Sequence, residues 1–429
     1  MKINAERALV VHPEYKSRLS TKTSNLGSFE ESVALSTSLG LNVVYKQKIK
    51  ISTIRAGSFF GSGAIKNISD IINKLNLTLI IINGKISPIQ QRNLEKVWNT
   101  KIIDRTHLIL EIFADRAATR EGKLQVELAS LSYQRTRLVR SWTHLERQRG
   151  ALGFVGGPGE TQIESDRRAI DKAIIRIKRQ LEKVVKTRLL HRKSRKKVPY
   201  PIVALVGYTN AGKSTLFNLV TDSKVYAKDR LFATLDPTMR VLELPLKNKV
   251  IFSDTVGFIS DLPTELIAAF RATLEEVLDA DLIIHVRDIA NKNTDEQKLD
   301  VLNILSELGI NKSKMENIIE LSNKTDLLPS AELEKLKNTT KRLNNVFPIS
   351  SKDNEGIDKF LDGVERILSQ NFVSETLRLK FDKANYRAKL YDISIVESEK
   401  LYEEGYEISV RWSEKRRGEF FHYLNSKNI

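Results

Sequence analysis

The sequence predicts an α/β multidomain protein built around a mostly parallel sheet with helices on both faces. Three observations predict it. Gly207-Tyr208-Thr209-Asn210-Ala211-Gly212-Lys213-Ser214 fits the phosphate-cradling pattern G-x-x-x-x-G-K-[ST], between the apolar run 201–206 and the helix-compatible run 215–220. Strand-like and helix-like segments alternate through residues 1–112 and again through 199–370. Between them, apolar positions keep a 3–4 spacing over two long stretches, interrupted by a glycine-rich break.

The elements follow in order. In residues 1–112, Ala8-Leu9-Val10-Val11, Leu41-Asn42-Val43-Val44 and Leu79-Ile80-Ile81-Ile82 read as strands of a small α/β domain. Ser28 with Glu31, and Ser87-Pro88 with Gln90, read as capping-box starts of helices. The glycine-rich 55–63 matches no phosphate-loop template and reads as a turn before a helix over 65–75. In residues 113–198, Leu124, Leu128, Leu131, Leu138, Trp142 and Leu145 form one seam, with Arg135 the exception. Ile170, Ile174, Ile177, Leu181 and Val184 form a second. Residues 150–159, with five glycines and a proline, cannot be helical, so the two stretches make an antiparallel hairpin with a glycine-rich tip. A basic linker, 190–197, leads into residues 199–370. From 371 to 429, alternating Leu377, Leu379 and Phe381, then Tyr406, Ile408, Val410 and Trp412, suggest a small β-α-β-α domain.

Composition narrows the function. There is no cysteine, so disulfides and thiolate metal sites are excluded. The longest apolar stretch, around 77–82, is far too short to cross a bilayer, and residues 1–7 carry no apolar leader core, so the cytoplasm is the expected location. The formal charge of +17 implies a polyanionic partner. Residues 113–198 hold 22 Lys/Arg against 9 Asp/Glu, so most of the surplus lies on the hairpin. A merely solvated face would intersperse both signs, whereas Arg147, Arg149, Arg167 and Arg168 bracket the tip. Nucleic-acid contact is the reading adopted. Nothing in the sequence requires more than a monomer.

The chemistry lies between 199 and 370. After the strand that precedes the loop, backbone N–H groups and a helix N-terminus face a polyphosphate. Lys213 is placed to reach the β- and γ-phosphates, Ser214 to offer its hydroxyl to Mg²⁺, and Thr215 to continue the cradle. Asn323-Lys324-Thr325-Asp326, ending an apolar run, fits N-K-x-D, whose aspartate accepts two hydrogen bonds from guanine N1 and N2. Adenine cannot supply both, so the expected nucleotide is GTP. Asp254-Thr255-Val256-Gly257 ends another strand; Asp254 is the candidate for Mg²⁺ through water and the Gly257 N–H for the γ-phosphate. Phe232-Ala233-Thr234-Leu235-Asp236 supplies Thr234, the candidate switch ligand to Mg²⁺ in the GTP state, with Thr238 the competing choice. Ser350-Ser351-Lys352 follows a strand-like run and is a candidate base contact. Phe258 stands where many GTPases carry a water-orienting glutamine, so slow unassisted hydrolysis is expected. The six histidines are scattered, so no metal beyond Mg²⁺ is expected.

The Gly207–Ser214 loop, Phe-Ala-Thr-Leu-Asp-Pro-Thr from Phe232, Asp-Thr-Val-Gly-Phe-Ile-Ser-Asp-Leu-Pro from Asp254, the stretch 116–127 and 157–162 together resemble the HflX-type GTPases. The likeness covers the whole chain and is most specific between 104 and 262. It implies a TRAFAC-class GTPase that binds the large (50S) ribosomal subunit, with the 150–162 tip near the rRNA of the peptidyl-transferase centre, and that splits stalled or idle ribosomes. Two other readings compete. One is a GTP-regulated RNA-remodelling or RNA-modification factor, against which stands the lack of a second catalytic constellation. The other is a membrane-surface GTPase, against which stands a hairpin seam better suited to self-packing than to lipid.

Overall fold

The computed structural model describes residues 6–15, 26–148, 158–195, 200–222, 232, 238–260, 276–370, 372–392, 396–413, 417–418 and 420–421. Residues 150–157 of the hairpin tip, with 149, and residues 233–237 lie outside the described residues.

The first unit is a four-stranded parallel sheet in the order β2-β1-β3-β4, with β1 Arg7–Tyr15, β2 Asn42–Ile51, β3 Leu79–Ile82 and β4 Lys101–Asp104. The run Leu79–Ile82 is buried throughout, as a strand covered on both faces requires. Helices α1 (Leu26–Ser38), α2 (Ser62–Leu75), α3 (Pro88–Trp98) and α4 (Arg105–Arg116) connect the strands and follow the last. The capping box expected at Ser87 forms: its side chain accepts from the Gln90 N–H at 3.2 Å, and its own N–H donates to Gln90 Oε1 at 2.8 Å. Ser28 is not a helix start. It lies inside α1, where its carbonyl and hydroxyl accept from Asn83 Nδ2 at 2.9 and 3.1 Å. Tertiary contact has taken the group that a local cap would have used.

Two long helices, α5 (Arg120–Gln148) and α6 (Pro158–Arg195), form the hairpin. Pro158 and Gly159, expected in the non-helical break, instead open α6, where proline in the first turn loses no intrahelical bond, and 190–195, expected as a linker, continue the helix. Leu124, Ile174 and Ile177 are buried on the expected seam. Arg135, the charged interruption, bridges across to Asp171 of α6 at 2.7 Å, so its charge lies at the seam's edge. The hairpin is also fixed to the first sheet. Asp104 caps α4 by accepting from the His107 N–H at 2.9 Å, and the same carboxylate accepts from Tyr133 Oη at 2.7 Å and Arg137 Nη1 at 3.1 Å, both on α5.

The second sheet has six strands in the order β10-β9-β8-β5-β7-β6. They are β5 Ile202–Gly207, β6 Thr238–Glu243, β7 Lys249–Asp254, β8 Leu282–Asp288, β9 Ile319–Asn323 and β10 Val346–Pro348. All pairings are parallel except β6 with β7, where an edge strand returns through a hairpin. The order reverses at β5, and helix α7 (Lys213–Thr221) starts immediately beyond it. That topology opens a crevice outside the strands' carboxyl ends. A three-stranded antiparallel sheet follows, with β11 Phe372–Lys380 and β12 Val396–Tyr402 flanking β13 Gly405–Ser413. The edge strand β12 is an addition to the β-α-β-α order expected from the sequence, because the mixed polar pattern of 396–402 carries no clear period.

Candidate functional site

Four segments converge at the carboxyl ends of the second sheet. The loop after β5 turns on two glycines. Gly207 has φ +151°, and a Cβ there would run into the Val286 carbonyl on β8. Gly212 has φ +97°, and its Cβ would collide with Asn323 Nδ2. The loop therefore lies hard against its neighbouring strands with no room for a side chain at either turn. Asn210 also takes positive φ (62°), a conformation asparagine tolerates.

Lys213 is buried, and its Nζ donates to the carbonyls of Gly207 (3.1 Å) and Tyr208 (2.9 Å). Burial lowers its pKa to about 8, although the nearby Asp254 carboxylate pulls the other way. A buried ammonium held by carbonyls alone is poised to exchange them for a more strongly charged acceptor. Ser214 Oγ donates to Asp254 Oδ2 at 2.7 Å, which brings a hydroxyl and a carboxylate side by side. Thr255 Oγ1 donates to the Leu205 carbonyl at 2.6 Å, a packing role. Phe258 forms a bridge with Tyr208: its N–H donates to the Gly207 carbonyl at 3.1 Å and its carbonyl accepts from the Thr209 N–H at 2.7 Å. Its ring is buried in the core. The segment from Asp254 is thus tied to the phosphate loop by two backbone bonds at Phe258, and to β5 by the Thr255 hydroxyl.

Asn323 joins two other segments. Its Nδ2 donates to the Ala211 carbonyl at 2.8 Å, and its Oδ1 accepts from the Ser351 N–H (3.0 Å) and Oγ (2.9 Å). Lys324, at φ 65°, pairs with Asp288 at 2.8 Å, and Thr325 is buried. Asp326 is half-buried and accepts from Ser350 Oγ at 2.9 Å, so its orientation is fixed from the β10 side. Lys352 is exposed at the rim. Phe232, at φ 56°, is buried with its ring edge-on to Phe113 of α4 at 4.5 Å. Ala233, Thr234, Leu235 and Asp236 lie outside the described residues. The competing Thr238 opens β6 opposite Asp254 in the ladder.

Sequence reasoning did not find two participants. Asp288 anchors Lys324; its signal was a lone carboxylate at the end of the buried run Leu282–Val286. Ser260, three residues beyond Gly257, meets residues of the first sheet's unit, and no local pattern announces such a contact.

Family descriptions match consecutive parts of the chain: "GTP-binding GTPase N-terminal" over 27–114, "GTP-binding GTPase Middle Region" over 116–195 and "50S ribosome-binding GTPase" over 202–324. "GTPase HflX" of Magnetococcus marinus is 46% identical over 369 residues, covering 86% of this chain and 84% of its own. The chain belongs to the HflX family of GTPases. The Escherichia coli HflX is 39% identical over 400 residues, covering 93% of this chain and 92% of its own. That of Chlamydia pneumoniae is 38% identical over 382 residues, covering 87% and 79%. The likeness runs through the hairpin as well as the nucleotide-binding sheet. It binds GTP and is a GTPase. Among the described residues, no helix is long and apolar enough to cross a membrane, and no group of three or more His, Asp or Glu could hold a metal.

Proposed function

We propose that this HflX protein is a cytoplasmic GTP switch that binds the large ribosomal subunit through its basic hairpin and splits stalled or idle ribosomes. The observation that carries the RNA side of this reading is a line of cations on α6. Lys172, Arg176, Arg179, Lys183 and Lys186 recur at spacings of four, three, four and three, all exposed. Among the described residues none of the five has an ion pair; the carboxylates Glu164 and Asp171 are engaged by Arg168 and Arg135. Over 14 residues the line spans about 21 Å. Uncompensated cations in such a row suit a phosphate backbone, whose counterions they release. A membrane face would also need an apolar side, and α6 spends that side on the seam with α5.

In this reading the nucleotide lies across the four converging segments. Lys213 gives up its two carbonyl partners for the β- and γ-phosphates, and the N–H groups from Tyr208 to Thr215 surround them. Ser214 and Asp254 already form a pair of hard oxygen donors, which fits Mg²⁺; Ser214 would hold the ion, with Asp254 supporting it through water and Thr234 added in the GTP state. Bound there, Mg²⁺ would neutralise charge on the phosphates during transfer. Asp326 reads the guanine N1 and N2, held in register by Ser350, while Asn323, Ser351 and Lys352 frame the base. Gly257 offers its N–H to the γ-phosphate. Phe258 carries no group to orient the attacking water and its ring is buried, so hydrolysis is slow until a partner completes the site.

Sedimentation of 70S ribosomes with the full chain tests the function. Conversion to subunits with GTP or a non-hydrolysable analogue, with the protein on the large subunit and little effect from GDP, is the expected result. Protein that stays at the top of the gradient in every nucleotide state overturns the ribosomal reading and leaves the GTPase intact. The triple reversal Lys172→Glu, Arg176→Glu and Arg179→Glu should weaken binding and flatten its salt dependence by roughly 0.7–0.9 logarithmic units per lost phosphate contact.

A further inference from the structure

Helix α4 touches every part that a GTP switch with a hairpin effector needs to connect. At its first residue, Arg105 is buried and donates from Nη2 to the Ser260 carbonyl (3.0 Å), to Ser260 Oγ (3.0 Å) and to Glu31 Oε2 (2.6 Å). Ser260 Oγ donates in turn to Glu31 at 2.7 Å, and the Ser260 N–H donates to Tyr208 Oη of the phosphate loop. Arg105 Nη1 is held by Asn83 Oδ1 at 3.0 Å, so the guanidinium cannot follow Ser260 without moving the first sheet's unit. Two turns further along α4, Phe113 packs edge-on against Phe232, two residues before Thr234. At the cap, Asp104 holds Tyr133 and Arg137 of the hairpin, and the Arg137 guanidinium also covers the Tyr133 ring at 5.2 Å. Burial and the Asp104 carboxylate both push the Tyr133 hydroxyl well above the usual tyrosine range, which keeps it a donor.

We propose that α4 is the coupling element of this protein. Through Arg105 and Phe113 it senses the two segments on either side of the γ-phosphate position, and through Asp104 it sets the angle of the hairpin. The inference rests on the reading of the hairpin as the RNA-facing part and concerns how the nucleotide controls it. Its physical basis is adjacency. Asp104 and Arg105 are consecutive, yet their side chains reach opposite partners, one in the hairpin and one in the nucleotide domain. Because Tyr208 and Glu31 grip Ser260 from both sides, a shift of the segment after Gly257 has only two outcomes: it breaks several buried hydrogen bonds, or it carries Arg105 along. A rotation of about 5° at the hairpin's base moves the end of a helix of about 57 Å by roughly 5 Å. A ligand can drive this only as far as it binds one arrangement better than the other.

The chain's lack of cysteine allows a direct test on the full-length protein without ribosomes. Spin labels on Ser165→Cys, on the exposed side of α6, and Asn338→Cys, on the exposed helix Ser330–Thr340, report the hairpin's position relative to the nucleotide domain. The distance distribution should move by roughly 3–5 Å between GDP and a non-hydrolysable GTP analogue. In Arg105→Met or Ser260→Ala the shift should fall to half or less. In Arg105→Met with Phe113→Leu it should vanish, while both nucleotides still bind. Ser260→Ala removes one hydroxyl, so folding of that variant, checked by thermal melting, keeps the test decisive if Arg105→Met is unstable. No shift in the parent protein, or an undiminished shift in the double variant, overturns the proposal. Ribosome sedimentation is read separately, so failure of the ribosomal reading and failure of α4 coupling are distinguishable.

Discussion

Lys213 makes nucleotide binding depend on pH in a direction the structure fixes. Its ammonium is buried, and its pKa is lowered from the ordinary 10.5 to about 8. Phosphates that replace the Gly207 and Tyr208 carbonyls favour the charged form, so binding above pH 8 must take up a proton. If only the protonated lysine binds, the apparent affinity falls by about tenfold between pH 7 and pH 9, from the ordinary titration factor for a pKa near 8. Calorimetry at pH 8.5 in two buffers of different ionisation enthalpy should reveal that uptake. The sign for stability is separate. Between pH 8 and 10.5 the unfolded chain holds this proton and the folded, nucleotide-free protein does not, so folding stability from this group rises with pH. From pH 7 to 9.5 the gain is about 2 kcal/mol, and it should be absent in Lys213→Met, measured as the difference between the two proteins' denaturation curves. Proton release on binding, or a Lys213→Met curve parallel to that of the parent over the whole range, would refute the burial argument.

Other substitutions test other parts of the site. Asp326→Asn should cost GTP at least ~100-fold in affinity and transfer preference to xanthine nucleotides, as read by competition with a fluorescent analogue; unchanged GTP affinity would remove Asp326 as the base reader. Gly212→Ala places a methyl against Asn323 at φ +97°, so it should lower stability by about 1–3 kcal/mol and weaken GTP binding, both visible in melting with and without nucleotide. Deleting Gly153–Gly159 should leave intrinsic GTP hydrolysis unchanged and remove activity on ribosomes. Loss of both would make the tip a structural element instead.

What could be read from the sequence was what local chemistry determines. The phosphate loop, Asn323–Asp326 and the capping box at Ser87 each need a fixed residue type at a fixed spacing, and their strands are short apolar runs with no competing period. Ser28 shows the limit. Serine with a glutamate three residues on satisfies the capping pattern, yet Asn83, 55 residues away in sequence, took the serine's acceptors and the helix began earlier. The strand Lys101–Asp104 went unread because only Ile102 and Ile103 are apolar, too short a run between two charged residues to signal a strand before α4 begins. Arg135 looked like a flaw in the seam until Asp171 appeared opposite it.

The deeper gap concerns residues whose meaning is entirely relational. Arg105 is an arginine at the start of a helix, where the macrodipole disfavours a cation, and Asp104 before it is an ordinary N-cap. Read locally, the arginine is a small cost of no consequence. In the fold, its charge is answered by Glu31 and by two oxygens of Ser260, 155 residues away. Removing one partner of so buried an arrangement leaves the others unsatisfied, which is why its members act as one body. A helix that begins with an unfavourable charge is therefore a cue worth following: where the local rule is broken, a distant partner has to supply the compensation. Here that partner lies three residues beyond Gly257, on the segment that GTP is expected to move.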